Sequence, residues 1–341
     1  MNNCTSQFRL IFDVGSGKTK FSFWGVDSCT NATHLIIRSK ITMPYQAYII
    51  NGTLSEEGIT QGITTFEKVQ EECAISCALI PCFGIATAWA RNAQNSKDYL
   101  QKIKDTLHIE IHTISQEQEG QLVFKAVEKE LPHLESSTLI VCEVGGGSFQ
   151  ISFRKPDSEI VVVEGGYGGE NYHLTLQQHL NSSLDAEGLP DRYYNKTELP
   201  YVQIFQQEKV VKFLKNNQEL QEVANNPYPI VLTLTGEPLY IVTREALIAT
   251  YKNDSIISAE SIKHVLSLMP NFDLDTAKQK FSLIPDVTKM ASILSLVGGI
   301  LEGMDFVNEV TFINPDTHSF LATDSSDILG KVLDDSCIDH S

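Results

Sequence analysis

The chain has 341 residues, 42% hydrophobic and 20% charged, with a formal net charge of −17. This composition predicts a globular protein with room for two domain cores. The negative charge argues against nucleic-acid binding, which needs a basic surface, and against a long polyanion crossing the surface. There is no apolar run of about 18 residues and no basic-then-apolar N-terminus. We therefore expect a cytoplasmic protein without a membrane partner.

The first pattern is an apolar run that ends in an acid and a glycine-rich turn. Residues 10–12 are followed by Asp13, Val14 and the turn Gly15-Ser16-Gly17, and residues 19–24 and 33–41 then have the composition of strands. Glycines permit a close backbone approach, so successive N–H groups can face phosphate oxygens. The segment is not a P-loop, because the required first glycine would fall at Phe12 and no helix follows.

The next segment predicts a helix, a buried strand and a ligand-facing turn. Apolar residues keep helical spacing from residue 54 towards Cys77, and residues 82–86 are a short apolar strand. Arg91 follows just past that strand, where open α/β sheets bind ligands. The alternative for Arg91 is a solvated surface charge.

The seven cysteines predict reduced thiols, because their number is odd and they are spread over the chain. Cys73, Cys77 and Cys82 form a cluster, with the first two on one face of the predicted helix. No histidine follows at metal-ligand spacing, so we expect buried thiols rather than zinc.

A second helix from residue 96 and a strand over residues 109–114 lead to a capping box. Ser115 is the predicted N-cap and Gln118 the N3 residue, which places Glu117 and Glu119 in the first turn of a helix that continues to Leu131. The helix dipole there favours an ionised carboxylate, which suits a general base. The alternative is that acids are common in any first turn.

The strand at residues 138–144 repeats the first pattern about 130 residues later. It contains Glu143 and is followed by Gly145-Gly146-Gly147-Ser148 and a further strand over residues 149–153. Alone, this turn is equally compatible with a plain tight turn. Because a strand rather than a helix follows, it is not a dinucleotide-binding fingerprint. The recurrence predicts two related domains that face one ligand.

The remaining chain alternates between strands and helices. Residues 160–164, 229–235 and 310–313 are predicted strands, and residues 210–223, 258–269 and 291–304 are predicted helices. The strand at 229–235 ends in a third glycine turn at Gly236, and Gly298-Gly299 predicts close packing or approach to a ligand.

Residues 11–17, 86–95, 114–124 and 139–148 together resemble, in order and spacing, the exopolyphosphatase/guanosine pentaphosphate phosphohydrolase (Ppx/GppA) family of the actin-like, sugar-kinase-like ATPase superfamily. The resemblance implies an α/β fold of two ribonuclease-H-like domains with an interdomain cleft. We expect these domains at residues 1–122 and 123–317, with residues 318–341 returning to the first.

The resemblance also implies the site. Glu119 matches the family's glutamate base, and Arg91 matches the arginine that faces the phosphates. Metal ligands are expected at Glu143 and Asp13, with Mg²⁺ or Mn²⁺ as the cofactor. The expected phosphate-binding residues lie in the two glycine loops and are Asp13, Gly15, Ser16, Gly17, Lys18, Gly145, Gly146, Gly147 and Ser148.

The chain departs from the family pattern at several positions. Glu143 and Gln150 replace an aspartate and an acidic residue around the second loop. Gly17 and Lys18 replace asparagine and serine in the first loop, where Lys18 can hold a phosphate instead. A late glycine- and arginine-bearing segment is not recognisable at residues 320–329.

The expected function is metal-dependent hydrolysis of a terminal phosphoanhydride bond. The expected partner is a small phosphorylated substrate, either a short polyphosphate or a guanosine pentaphosphate-like nucleotide. The sequence is also compatible with a homodimer. One alternative is a non-catalytic nucleotide- or phosphate-binding regulatory module of the same fold. Another is a sugar-kinase-like phosphotransferase, against which the segment around Glu119 argues.

Overall fold

The computed structural model describes residues 6–30, 32–134, 137–156, 158–184, 198–253, 257–284 and 286–313. The chain folds into two compact units, and the division between them falls between Leu122 and Val123. The expected return of residues 318–341 to the first domain lies outside the described residues, as does the departure at residues 320–329.

The first unit contains a five-stranded sheet in the order β3-β2-β1-β6-β7. The strands β1, β2 and β3 form an antiparallel meander, while β6 and β7 add in parallel to β1. Long runs of buried apolar residues form β1 and β6, because both sheet faces are covered there. The strands are β1 (Ser6–Val14), β2 (Lys18–Asp27), β3 (Thr33–Thr42), β6 (Cys82–Ala86) and β7 (Glu110–Thr113), and the hairpin β4 (Ile49–Ile50) and β5 (Thr53–Leu54) lies between β3 and β6.

Helices cover both faces of this sheet. One face packs against the first three helices and a 3₁₀ turn at Tyr45–Tyr48, with Phe12, Phe21 and Phe66 in its core. The other face carries a smaller core that includes Ile11 and Leu122. The helices are α1 (Glu56–Glu72), α2 (Ala88–Asn92), α3 (Ser96–Leu107) and α4 (Gln116–Glu130).

Hydrogen bonds at the helix starts confirm the predicted capping. Ser115 Oγ accepts from the Gln118 N–H at 3.0 Å, and Gln118 Oε1 accepts from the Ser115 N–H at 2.8 Å. These two bonds form the predicted capping box of α4. Ser55 Oγ likewise accepts from the Gly58 N–H and caps α1.

The prediction of reduced thiols is wrong for Cys29, Cys77 and Cys82, which are all in disulfides, and Cys77 and Cys82 are joined to each other. The helix α1 also ends at Glu72 rather than continuing to Cys77, because Ala74 adopts a left-handed conformation with φ 52°. Cys73 is a buried free thiol, as expected, and burial raises its pKa to about 11.

The second unit contains a five-stranded sheet in the order β10-β9-β8-β11-β12. The meander β8-β9-β10 is antiparallel, and β11 and β12 add in parallel. This is the arrangement of the first sheet, so the ribonuclease-H-like topology occurs twice and the predicted α/β class is confirmed. The strands are β8 (Thr138–Val144), β9 (Phe149–Arg154), β10 (Ile160–Gly165), β11 (Ile230–Thr235) and β12 (Glu309–Phe312).

The helices of the second unit surround one almost fully buried helix, α12. The glycine pair Gly298-Gly299 of this helix lies against Gln206 and Val210, where added Cβ atoms would approach to 2.9–3.0 Å, so the pair serves close packing. The helices are α5 (Gly169–Leu184), α6 (Leu199–Gln206), α7 (Lys212–Lys215), α8 (Gln218–Ala224), α9 (Arg244–Tyr251), α10 (Ala259–Leu268), α11 (Leu274–Lys280) and α12 (Met290–Gly303), with π-helical turns at Gln207–Val211 and Pro238–Thr243. Among the described residues, no helix has the length and apolarity needed to cross a membrane.

Candidate active site

Loop 1, residues 15–18, is a tight hairpin between β1 and β2. The Gly15 N–H donates to the Lys18 carbonyl at 2.9 Å. The carbonyls of Ser16 and Gly17 accept from the N–H groups of Gln46 and Met43 at 3.2 and 3.1 Å. These bonds fix the direction of the loop peptides, as a phosphate-binding turn requires.

A buried aromatic group supports the base of loop 1. Trp89 Nε1 donates to the Val14 carbonyl at 2.8 Å, and the Trp89 ring stacks on Tyr45 with centroids 4.2 Å apart. The Tyr45 and Tyr99 hydroxyls are 2.9 Å apart. Within the loop, the Ser16 hydroxyl is buried without a hydrogen-bond partner among the described residues. A buried hydroxyl in this state is suited to a ligand oxygen.

Loop 2, residues 145–148, repeats the hairpin between β8 and β9. The Gly145 N–H donates to the Ser148 carbonyl at 3.0 Å. The carbonyls of Gly145 and Gly146 accept from the first N–H groups of α5, Gly169 and Glu170, at 2.9 Å each. The helix N-terminus therefore holds the loop itself.

Two residues that sequence analysis missed complete this contact. A Cβ on Gly168 would lie 2.5 Å from backbone atoms of loop 2, so only glycine fits there. Asn171 Nδ2 donates to the Gly147 carbonyl at 2.7 Å, and Asn171 Oδ1 accepts from the Gly168 N–H at 2.6 Å. The sequence signal for this contact is the glycine pair Gly168-Gly169, which is followed two residues later by Asn171 in the first turn of α5.

The third glycine turn also approaches loop 2. Gly236 has φ 95°, and a Cβ there would lie 2.3 Å from the Val144 carbonyl oxygen. The turn therefore packs against the end of β8, directly before the loop.

Arg91 and Glu119 form the central ion pair of the first unit. Arg91 Nη1 is 2.9 Å from Glu119 Oε2, and it also donates to the Ile114 carbonyl at 3.0 Å. Both side chains are largely buried, with 20% and 14% of their surfaces exposed. The alternative of a solvated Arg91 is thereby excluded, and Glu119 is held in a fixed orientation.

Burial raises the pKa of Glu119, and the neighbouring Arg91 opposes that rise. The sequence expectation was that the helix dipole would favour the ionised form, but desolvation outweighs the favourable charges. A raised pKa still suits a general base, because the ionised carboxylate then accepts a proton more readily near neutral pH.

Asp13 and Lys20 complete this charged group. Lys20 Nζ donates to Asp13 Oδ2 at 2.9 Å. The charge of Asp13 further raises the pKa of Glu119, while that of Lys20 lowers it. Sequence analysis missed Lys20, although a four-residue hairpin places it opposite Asp13.

The carboxylates offer a limited set of metal ligands. Glu143 is half-buried near the end of β8, opposite Gln150, while Asp13 is already paired with Lys20. No group of three or more metal-ligating side chains occurs within the described part of the chain. Mg²⁺ commonly binds one or two carboxylates together with waters and substrate phosphates. Glu143 fits that donor set, and Asp13 would have to exchange its lysine for the metal.

Comparisons with solved structures show the fold. A Ppx/GppA protein from Aquifex aeolicus has a TM-score of 0.67 at 16% identity, over 99% of this chain and 100% of that one. An exopolyphosphatase from Cytophaga hutchinsonii has a TM-score of 0.66 at 14% identity, over 94% and 99%. These likenesses establish the actin-like ATPase fold.

Sequence comparison finds similarity to the same family over part of the chain. Residues 30–163 match the model of the Ppx/GppA phosphatase family. Exopolyphosphatase 1 of Mycobacterium tuberculosis is 26% identical over 102 residues, which are 30% of this chain and 29% of that protein. The match thus spans less than a third of that relative's length. The resemblance to the Ppx/GppA family predicted from the four motifs is confirmed.

Proposed function

We propose that this protein hydrolyses the terminal phosphoanhydride bond of a polyphosphate or a guanosine pentaphosphate-like nucleotide, with Mg²⁺ or Mn²⁺ as cofactor. The observation that carries the proposal is the Arg91–Glu119 pair, which places a desolvated carboxylate and a cation together at the start of α4. The family match supports a phosphatase, and the two glycine loops offer backbone N–H groups of the kind that bind phosphate.

In this mechanism Glu119 orients the attacking water and accepts its proton. Arg91 holds the Glu119 carboxylate through Oε2 and offsets the negative charge that develops on the transferring phosphoryl group. The loop peptides and the Ser16 hydroxyl bind the non-transferring phosphates. A bound divalent metal would neutralise phosphate charge, and its candidate protein ligands are Glu143 in the second unit or, if it leaves Lys20, Asp13 in the first.

The test is a panel of orthophosphate-release measurements on the purified chain. The substrates are tripolyphosphate, long-chain polyphosphate and guanosine pentaphosphate, each with Mg²⁺, Mn²⁺ or EDTA. We expect release that depends on the metal. Absence of release from all three substrates with either metal would refute hydrolysis, and transfer of labelled phosphate to a sugar would indicate a kinase instead.

A second candidate is a non-catalytic phosphate-binding regulatory module. The observation in its favour is the neutral Gln150, buried beside loop 2 with its Nε2 donating to Ser148 Oγ at 3.1 Å, where the family carries an acid. Ligand-induced thermal stabilisation without phosphate release in the same panel would support this function over hydrolysis.

A further inference from the structure

A disulfide closes the connection between α1 and β6. Cys77 and Cys82 have Cα atoms 5.4 Å apart, and Cys82 is the first residue of β6. The Cys77 N–H donates to the side chain of Gln70, at 3.0 Å from Oε1. Cys77 is therefore held by β6 and by a side chain of α1, and not by the backbone of a continuing helix.

The end of α1 has an alanine where a glycine is usual. Ala74 adopts a left-handed conformation with φ 52°. The N–H groups of Ala74 and Ile75 donate to the carbonyls of Glu71 and Gln70, both at 3.0 Å. These two bonds form a Schellman motif, whose left-handed position normally belongs to glycine. The conformation costs free energy for alanine, because its Cβ is crowded there.

The local sequence favours a longer helix instead. Residues 73–80 contain no glycine and no proline, and Pro81 follows them. Alanine and leucine, which occur in this segment, are strong helix formers, and a proline is a common reason for a helix to end before it. The buried residues Val69, Cys73 and Cys77 follow one another at four-residue steps, as on one helix face. The end of α1 at Glu72 is therefore imposed from outside the segment.

The disulfide lies where a reductant can reach it. Cys77 and Cys82 are each 5% exposed, and they line an open surface recess of about 550 Å³ together with Ile80 and Pro81. Between them Leu79 is 84% exposed. The loop 77–82 is thus on the surface, and a thiolate can attack its sulfur atoms through the recess.

We propose that Cys77–Cys82 is a redox modification site that sets the length of α1. In the disulfide form the helix ends at Glu72. After reduction by a dithiol, Ala74 adopts a right-handed helical conformation and α1 continues through Cys77. The inference concerns the first unit alone and is independent of the proposed phosphatase function.

The reaction is a thiol–disulfide exchange with a dithiol as the reductant. One thiolate of the dithiol attacks a sulfur of the Cys77–Cys82 bond, forms a mixed disulfide and releases the other cysteine as a thiolate. The second thiol of the reductant then breaks the mixed disulfide. Two electrons and two protons pass from the dithiol to the cysteines, so the products are two cysteine thiols and the disulfide of the reductant.

The test measures amide hydrogen exchange at Ser76 in the disulfide form and after treatment with dithiothreitol. In the disulfide form Ser76 is exposed, and its N–H has no acceptor among the described residues. In a longer α1 this N–H donates to the Glu72 carbonyl, so its exchange should slow by about tenfold. The simple loss of a cross-link predicts the opposite sign, because it loosens the segment.

Variants separate this disulfide from the other effects of reduction. Cys77→Ser/Cys82→Ser should show the slow exchange at Ser76 without dithiothreitol, while the disulfide of Cys29 stays intact. Cys29→Ser should respond to dithiothreitol as the wild type does. Ala74→Gly favours the left-handed helix end and disfavours the longer helix, so its Ser76 exchange should not slow after reduction.

Each outcome decides the inference. Slower exchange at Ser76 in the reduced wild type and in Cys77→Ser/Cys82→Ser, but not in reduced Ala74→Gly, supports the change in helix length. Unchanged or faster exchange at Ser76 overturns it, as does the same slowing in Ala74→Gly. A Cys77–Cys82 bond that persists in dithiothreitol in the folded protein also overturns the redox role.

Discussion

The two glycine loops share a hairpin but differ in what holds them. In loop 1 a 3₁₀ turn and the Trp89–Tyr45 stack support the backbone. In loop 2 the first turn of α5 and the side chain of Asn171 bind the loop carbonyls. Loop 1 is therefore held by a 3₁₀ turn and buried aromatic side chains, whereas loop 2 is held by the N-terminus of a helix.

The charged side chains near the two loops also differ between the units. The pair Arg91–Glu119 and the pair Lys20–Asp13 both belong to the first unit. Beside the loop of the second unit lie the half-buried Glu143 and the ion pair of Glu170, in the first turn of α5, with Lys289. We therefore propose that the repeated backbone motif carries the catalytic groups in the first unit and positioning groups in the second. Four experiments test this division.

The largest effect is expected at the proposed base. Glu119→Gln removes the proton acceptor but keeps the size of the side chain, so kcat for phosphate release should fall about 10²- to 10⁴-fold. The matched control is Glu117→Gln, an exposed acid in the same helical turn, which should retain the wild-type rate. Equal rates for both variants would remove Glu119 as the base.

The next effect is expected at Arg91. Arg91→Met should lower kcat about 10²- to 10³-fold, because a charged group near the transferring phosphoryl is lost. Arg91 favours the ionised form of Glu119, so its removal raises the pKa of Glu119 further. The acid limb of the kcat/KM profile should then move to higher pH.

A charge-preserving variant sharpens this result. Arg91→Lys should show a smaller displacement of the acid limb than Arg91→Met. If Arg91→Met leaves the acid limb in place, the profile does not report the Glu119 carboxylate.

Glu143 tests the metal role of the second unit. Glu143→Gln exchanges a charged oxygen ligand for a neutral one, so the Mg²⁺ concentration at half-maximal rate should rise about tenfold. Glu164→Gln changes an exposed acid of the same cross-strand row and serves as the control. Similar Mg²⁺ requirements in both variants would contradict Glu143 as a ligand.

The smallest effect is expected at the residue that supports loop 2. Asn171→Ala leaves the Gly147 carbonyl and the Gly168 N–H without their partners, which should cost about 1–3 kcal/mol of unfolding free energy. The KM should rise while kcat changes less, because the proposed role of loop 2 is to position the substrate. Denaturant unfolding and steady-state kinetics measure the two effects.

A second substitution at this position separates its two bonds. Asn171→Asp retains the acceptor for the Gly168 N–H and loses the donor to Gly147. It should have an intermediate KM, and a wild-type KM in both variants would show that loop 2 does not need the asparagine.

Local patterns were sufficient to predict most of the fold. Both acid-glycine hairpins and the capping box at Ser115 depend on neighbouring residues, and the structure contains each of them. The end of α1 was missed, because Ala74 adopts a left-handed conformation without the glycine that usually signals it. The Cys77–Cys82 disulfide was missed, because a cysteine count does not determine pairing.

The site was predictable only where one segment determined it. Glu119 followed from its motif, whereas its raised pKa depends on burial by the rest of the unit. Asn171 was missed because its partner Gly147 lies in a loop 24 residues earlier in the chain. Lys20 was missed although it was predictable, because the register of the β1–β2 hairpin alone places it beside Asp13.

The two tryptophans of the chain occupy positions that make them separate optical reporters. Trp89 is fully buried and bonded to the last carbonyl before loop 1, while Trp24 lies below Arg38, whose guanidinium carbon is 5.9 Å from the ring centroid. Emission from Trp89 should therefore respond to an anion at loop 1. With Trp24→Phe as the single-tryptophan variant, anion binding at loop 1 can be followed through Trp89 without a label.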